Sequence, residues 1–112
     1  MVEAEMLVSR ILEDEGLTSA LEEPEAQRLI DWLVKQTERI AAAAQSEAEG
    51  EQRVNALCRR ARAVGKLIEA ACYQGERDEA ARLAARQQLP WPVPAHAGPA
   101  LDMLLDHLAN SI

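Results

Sequence analysis

The sequence predicts an all-α protein, a small bundle of about five helices built on a long antiparallel αα-hairpin. Apolar residues recur three and four residues apart through most of the chain, which is the spacing of one helix face. Runs of β-branched and aromatic residues, typical of strands, are missing, and Trp32, Tyr73 and Trp91 are the only aromatic residues. A chain of 112 residues has the length of one domain, so residues 1–112 are predicted to form a single helical domain.

The first two helices are predicted from apolar faces and from residues that start or end helices. The first covers residues 2–15, and Gly16 marks its end. The second runs from about Pro24 to Gln45, with proline in the first turn. Their apolar faces are formed by Ala4, Leu7, Val8 and Ile11 in the first helix, and by Ala26, Leu29, Ile30, Leu33, Val34, Thr37, Ile40, Ala41 and Ala44 in the second.

The third helix is predicted over residues 48–74 from apolar positions that repeat every seven residues. Its small residues Cys58, Ala61 and Gly65 would let a neighbouring backbone approach closely. Because the connection from the second helix is short, the two helices should lie antiparallel. At about 1.5 Å per residue, each would be roughly 30–40 Å long.

Two shorter helices complete the prediction, one after Gly75 and one over residues 99–110 with Pro99 at its first position. Four of the five prolines lie in segment 89–99, which connects these two helices and includes Pro99. Their spacing does not match a PxxP ligand, and the segment is too stiff for a Gly/Ser linker. We interpret it as a strap that crosses the bundle with Trp91 and Val93 turned inward. The last helix could then pack on its own bundle or on another subunit.

Charge is concentrated in the first 25 residues, which hold eight acids and one base, Arg10, while the rest of the chain is neutral. A net charge of −7 argues against a general binder of nucleic acid or anionic membranes. The start lacks the positive and apolar regions of a signal peptide, and no apolar run has the length of a membrane span. We therefore expect a cytoplasmic protein.

Residues that could perform catalysis or hold a metal do not form a recognisable set. Cys58 and Cys72 are fourteen residues apart on one predicted helix, about 21 Å along its axis, so they can neither form a disulfide nor share an ion. We interpret both as buried small apolar residues. His96 and His107 are the only histidines, and no metal, nucleotide or nucleophile motif is present. The prediction is no enzyme, no cofactor and no metal.

The basic stripe, which we define as Arg59, Arg62 and Lys66, is the most distinctive polar feature. No acid occurs between positions 52 and 68, and these three side chains share one side of the third helix. The stripe could contact phosphates of a nucleic acid. The favoured interpretation is electrostatic matching to the acidic first quarter, within the chain or across a dimer.

The leading functional hypothesis is a non-enzymatic helical interaction protein: a small adaptor, complex subunit or assembly chaperone. Its partner would be a second copy, as a homodimer, or another protein, with Trp32 and Trp91 as candidate contact residues. One alternative is a nucleic-acid-associated regulator that uses Arg59, Arg62 and Lys66. Another is an inhibitor whose acidic segment 13–25 mimics a polyanion.

Overall fold

A computed structural model describes residues 3–111 of the chain. Its helices are α1 (Ala4–Glu13), α2 (Glu23–Ala43), α3 (Glu47–Ile68), α4 (Arg77–Gln87) and α5 (Ala97–Asn110). A π-helical turn, Glu69–Tyr73, continues α3 without a break. No strand occurs among the described residues. The predicted all-α fold class is confirmed.

The helix ends differ from the predicted ones by a few residues, for local reasons. Gly75 has a φ of +67°, a left-handed conformation that ends the π-helical turn as predicted. Gly16 does not end α1, because the last helical residue is Glu13 and the chain turns at Asp14. The last helix begins at Ala97, so Pro99 is its third residue rather than its first. Proline fits there because the first turn needs no N–H donor.

The hairpin of α2 and α3 organises the bundle, with α1 and α5 packed against both of its helices. The core contains large aliphatic side chains from each of these helices, among them Leu7, Leu33, Leu67 and Leu104. Helix α4 packs on α3 through Ala80 and Ala84, which are fully buried. The last helix therefore packs on its own bundle, which settles the alternative that the sequence left open.

The connection between α1 and α2 packs closely on the end of α3. Leu17 is buried, and a methyl group added at Gly65 would lie 3.8–3.9 Å from Leu17, Ala20 and Leu21. The backbone N–H of Glu22 donates to the Tyr73 hydroxyl oxygen over 3.1 Å. The predicted close approach at Gly65 is thus made by a loop of the same chain.

The proline-rich segment between α4 and α5 is held by side chains from several elements. Val93 is buried, and Trp91 is half-buried against the core. Arg77 donates to the Val93 carbonyl oxygen over 2.9 Å, and the Cys72 thiol donates to that of Pro94 over 3.4 Å. The His107 ring contacts the Gln88 carbonyl oxygen at 3.2 Å. These contacts fix the segment on the bundle surface.

The helices of residues 3–111 do not include one with the length and apolar content that crossing a lipid bilayer requires.

Candidate functional site

The first candidate surface comprises four apolar side chains of α1 and α2 that lie outside the core, Val8, Leu12, Ile30 and Val34, and we call it the apolar patch. Leu12 is 62% exposed, and the other three are half-buried. None of the four belongs to the core cluster or to the side chains packed against it. The predicted apolar faces of α1 and α2 are therefore wider than the surface that the bundle covers.

Ion pairs show which edge of each helix these four side chains do not occupy. On α1, Arg10 pairs with Glu51 of α3 over 2.8 Å, so that edge faces α3. On α2, Arg28 pairs with Asp102, so that edge faces α5. Helical spacing puts Val8 and Leu12 on the edge of α1 away from Arg10, and it puts Ile30 and Val34 on the edge of α2 away from Arg28.

The two tryptophans named as contact candidates lie at separate places. Trp32 is half-buried and packs against the core from α2. Trp91 packs against the core from the proline-rich segment, with the Arg77 guanidinium 4.6 Å from its ring centroid. Each indole thus has an intramolecular packing role.

The basic stripe lies along a shallow groove between α3 and α4. Arg62 forms an ion pair with Asp14, a residue of the acidic first quarter. Arg59 and Lys66 are exposed, and neither takes part in an ion pair among residues 3–111. The same groove contains the acids Glu69, Glu76 and Glu79, so its charge is mixed. The electrostatic matching of the basic stripe to the acidic first quarter, which the sequence favoured, is observed within the chain at Arg62.

The second candidate surface is a cleft between the ends of α2, α3 and α5, which we call the α2–α3–α5 cleft. It has a volume of about 510 Å³. The side chains that line it are Ile40, Arg53, Ala56, Leu57, Arg60, Leu108 and Ser111. The lining combines aliphatic side chains with two arginines, and the described residues that form it include no acid. Arg60 lies outside the basic stripe, and its place in this cleft depends on tertiary packing that helical spacing does not encode.

The two cysteines are free thiols, as predicted from their spacing. Cys58 is buried and Cys72 is half-buried, so only the first fully matches the predicted burial. Burial raises the pKa of the Cys58 thiol, and nearby Arg10 opposes this only in part. Burial also raises the pKa of Cys72, against a smaller opposite effect of Arg77. Both thiols are therefore protonated and poorly nucleophilic at neutral pH.

Other candidate metal ligands stay apart in the structure. Over the described part of the chain, no three His, Cys, Asp or Glu side chains are grouped so that they could hold a metal ion. Asp102, one turn before Asp106 on α5, pairs with Arg28.

One signal for a helix start was overlooked in the sequence. The Ser46 hydroxyl accepts from the backbone N–H of Glu49 over 3.2 Å, and the Glu49 carboxylate accepts from that of Gln45 over 2.9 Å. Serine followed three residues later by glutamate is the pattern of a capping box. It places the start of α3 at Glu47, one residue before the predicted position.

No family model, no curated protein and no solved structure matches this chain.

Proposed function

We propose that the chain is a non-enzymatic protein–protein interaction module, an adaptor, complex subunit or assembly chaperone, that binds its partner through the apolar patch on α1 and α2. The exposure of Leu12 carries the proposal, since this residue is 62% exposed and three further aliphatic residues of α1 and α2 are half-buried outside the core. Burying such a patch releases water from apolar surface, which favours association. An amphipathic helix of a partner would suit it.

The roles of the polar and reactive side chains support a non-enzymatic protein. The His107 ring contacts a backbone carbonyl, and the Tyr73 hydroxyl receives a backbone N–H. Cys72 also contacts a backbone carbonyl. These groups act as structural supports for loops. The free thiols of Cys58 and Cys72 suit a reducing compartment, and we propose the cytoplasm.

The simplest partner is a second copy of the chain, in a homodimer that joins the two patches. Alanine-rich helices bury little area each, so a chain of this composition gains from a covered outer face. Exposed Met6, at the α3-facing side of α1, would lie outside this contact.

Replacement of Leu12 by glutamate tests the proposal. The change puts a charge on the most exposed residue of the patch without touching the core, so the fold should persist and association should be lost. The control is Ser9→Glu, at an exposed position of the same helix. Light scattering during size-exclusion chromatography measures self-association, and cross-linking with mass spectrometry identifies a different partner. A monomer without a partner, or association unchanged by Leu12→Glu, contradicts the proposal.

A nucleic-acid role remains an alternative proposal, supported by the exposure of Arg59 and Lys66. Changing both to glutamate should abolish binding to DNA or RNA under that alternative and leave partner binding intact under the main one. Fluorescence anisotropy with labelled oligonucleotides at two salt concentrations distinguishes them, because phosphate contacts weaken steeply with salt.

A further inference from the structure

We infer that the α2–α3–α5 cleft binds a small carboxylate with a hydrocarbon tail, of the chemical class of a medium-chain fatty acid. The carboxylate would meet the guanidinium of Arg60, and the tail would cover Leu57 and Leu108. The cleft and the apolar patch involve different residues, so this inference is independent of the proposed interaction function.

The floor of the cleft supplies the site for the tail. Ile40, Leu57 and Leu108 expose at most 6% of their surface, and Ala56 beside them is half-buried. These are all aliphatic side chains, and they come from three helices, so the floor is held in place by the core. A volume of about 510 Å³ is within the range of small-molecule sites. The floor therefore favours a ligand with a flexible aliphatic group.

Arg60 supplies the site for the carboxylate. Its Nε is buried and has no hydrogen-bond partner among residues 3–111. The ion pairs formed by the described side chains also leave its guanidinium out. A buried donor without an acceptor is unfavourable, and Arg60 as a whole is only half-buried, so part of this residue remains accessible from the cleft. The planar guanidinium matches the two oxygens of a carboxylate.

The remaining charges at the cleft favour a monoanion. Arg53 is already paired with Glu49 of its own helix over 3.0 Å, with 53% of its side chain exposed. Within residues 3–111, the guanidinium of Arg60 is the one at the cleft that has no ion pair. The Ser111 hydroxyl donates to the His107 carbonyl oxygen over 3.0 Å, so it is engaged within α5. A single carboxylate on an apolar group fits this arrangement better than a dianionic phosphate.

Isothermal titration calorimetry with octanoate tests the inference, using the full chain. We expect saturable binding of one octanoate, with weaker binding of octan-1-ol, which lacks the charge. Arg60→Gln should weaken octanoate binding by about tenfold or more, because a charge-assisted contact is lost. Arg59→Gln is the matched control, since Arg59 lies on the same helix but outside the cleft. It should bind octanoate as the unaltered chain does.

A cleft-filling variant keeps the test decisive if Arg60→Gln fails to fold. Ala56→Leu adds volume inside the cleft at a helical position that tolerates leucine, and it should block octanoate. Chemical shifts in the unaltered chain should change at Leu57 and Leu108. The inference is overturned by the absence of saturable binding, by equal binding of octanol, or by equal losses in Arg60→Gln and Arg59→Gln. None of these outcomes affects the Leu12→Glu experiment, so the two proposals fail separately.

Discussion

The central carbon of the Arg77 guanidinium lies 4.6 Å from the centroid of the Trp91 ring, while its Nη2 donates to the Val93 carbonyl oxygen over 2.9 Å. Arg77, at the start of α4, therefore contacts the proline-rich segment twice, at the Trp91 ring and at the Val93 carbonyl oxygen. Val93 is buried, so these two contacts help to keep an apolar side chain in the core. This relationship explains how a segment without helical hydrogen bonds stays on the bundle.

Loss of the Arg77 contacts with Trp91 and Val93 should destabilise the protein. We expect Arg77→Ala to lower the free energy of unfolding by about 1–3 kcal/mol, because a cation–π contact and a charged hydrogen bond both disappear. Urea unfolding followed by tryptophan fluorescence measures it. Arg82→Ala is the control, since Arg82 is on the same helix and makes an exposed ion pair with Glu79. If both variants have the same free energy of unfolding, the contacts of Arg77 with Trp91 and Val93 do not stabilise the protein.

Replacement by alanine should change the stability of the fold in opposite directions at two glycines, Gly65 and Gly75. At Gly65, inside α3, an added methyl group meets only ordinary contact distances, so Gly65→Ala should stabilise the fold by about 0.5–1 kcal/mol. At Gly75 the φ of +67° disfavours a side chain, and Gly75→Ala should cost about 1–2 kcal/mol. Chemical denaturation measures both. Destabilisation by Gly65→Ala would show that the contact with Leu17 is tighter than observed.

The buried thiols should make the protein less stable in alkaline solution. Burial raises the pKa of Cys58 and of Cys72 in the folded state above the ordinary value of 9.0. As the pH rises, the unfolded chain releases the thiol protons before the folded chain does. The contribution of the protonated thiols to the free energy of unfolding is therefore complete below pH 9 and is lost at higher pH. Denaturation of the unaltered chain between pH 7 and pH 10 should show this loss.

The Cys58→Ala, Cys72→Ala double variant separates the thiols from other groups. Its stability should fall less steeply above pH 9 than that of the unaltered chain. Thiol labelling gives a second measurement, in which half-buried Cys72 should react before buried Cys58. An unchanged alkaline slope in the double variant would assign the loss to other groups, such as Tyr73, whose pKa is also raised by burial.

Most of the helices were predictable because their signals are local. The apolar spacing of Leu29, Leu33 and Ile40 is a property of one helix and survives in any packing. The turn at Gly75 depends on backbone conformation alone. Where a boundary was missed, at Ser46 and Glu49, the capping signal was present in the sequence and was not used.

The candidate sites were less predictable because they depend on which part of each apolar face is covered. Periodicity placed Ile30 and Leu33 on one face of α2, yet one is half-buried and the other fully buried. The burial of each residue depends on which part of α2 the neighbouring helices cover. The spacing of residues within α2 does not encode where those helices lie.

The sequence alone determined an all-α chain with a long central hairpin and with a proline-rich interruption before its last helix. The packing of the helices shows in addition that this last helix returns to its own bundle and that Arg62 is neutralised by Asp14. It also shows that Arg60 borders an apolar cleft and that its Nε has no acceptor among residues 3–111. The physical reason is that helix formation depends on neighbours along the chain, whereas burial and charge pairing depend on residues brought together from distant positions.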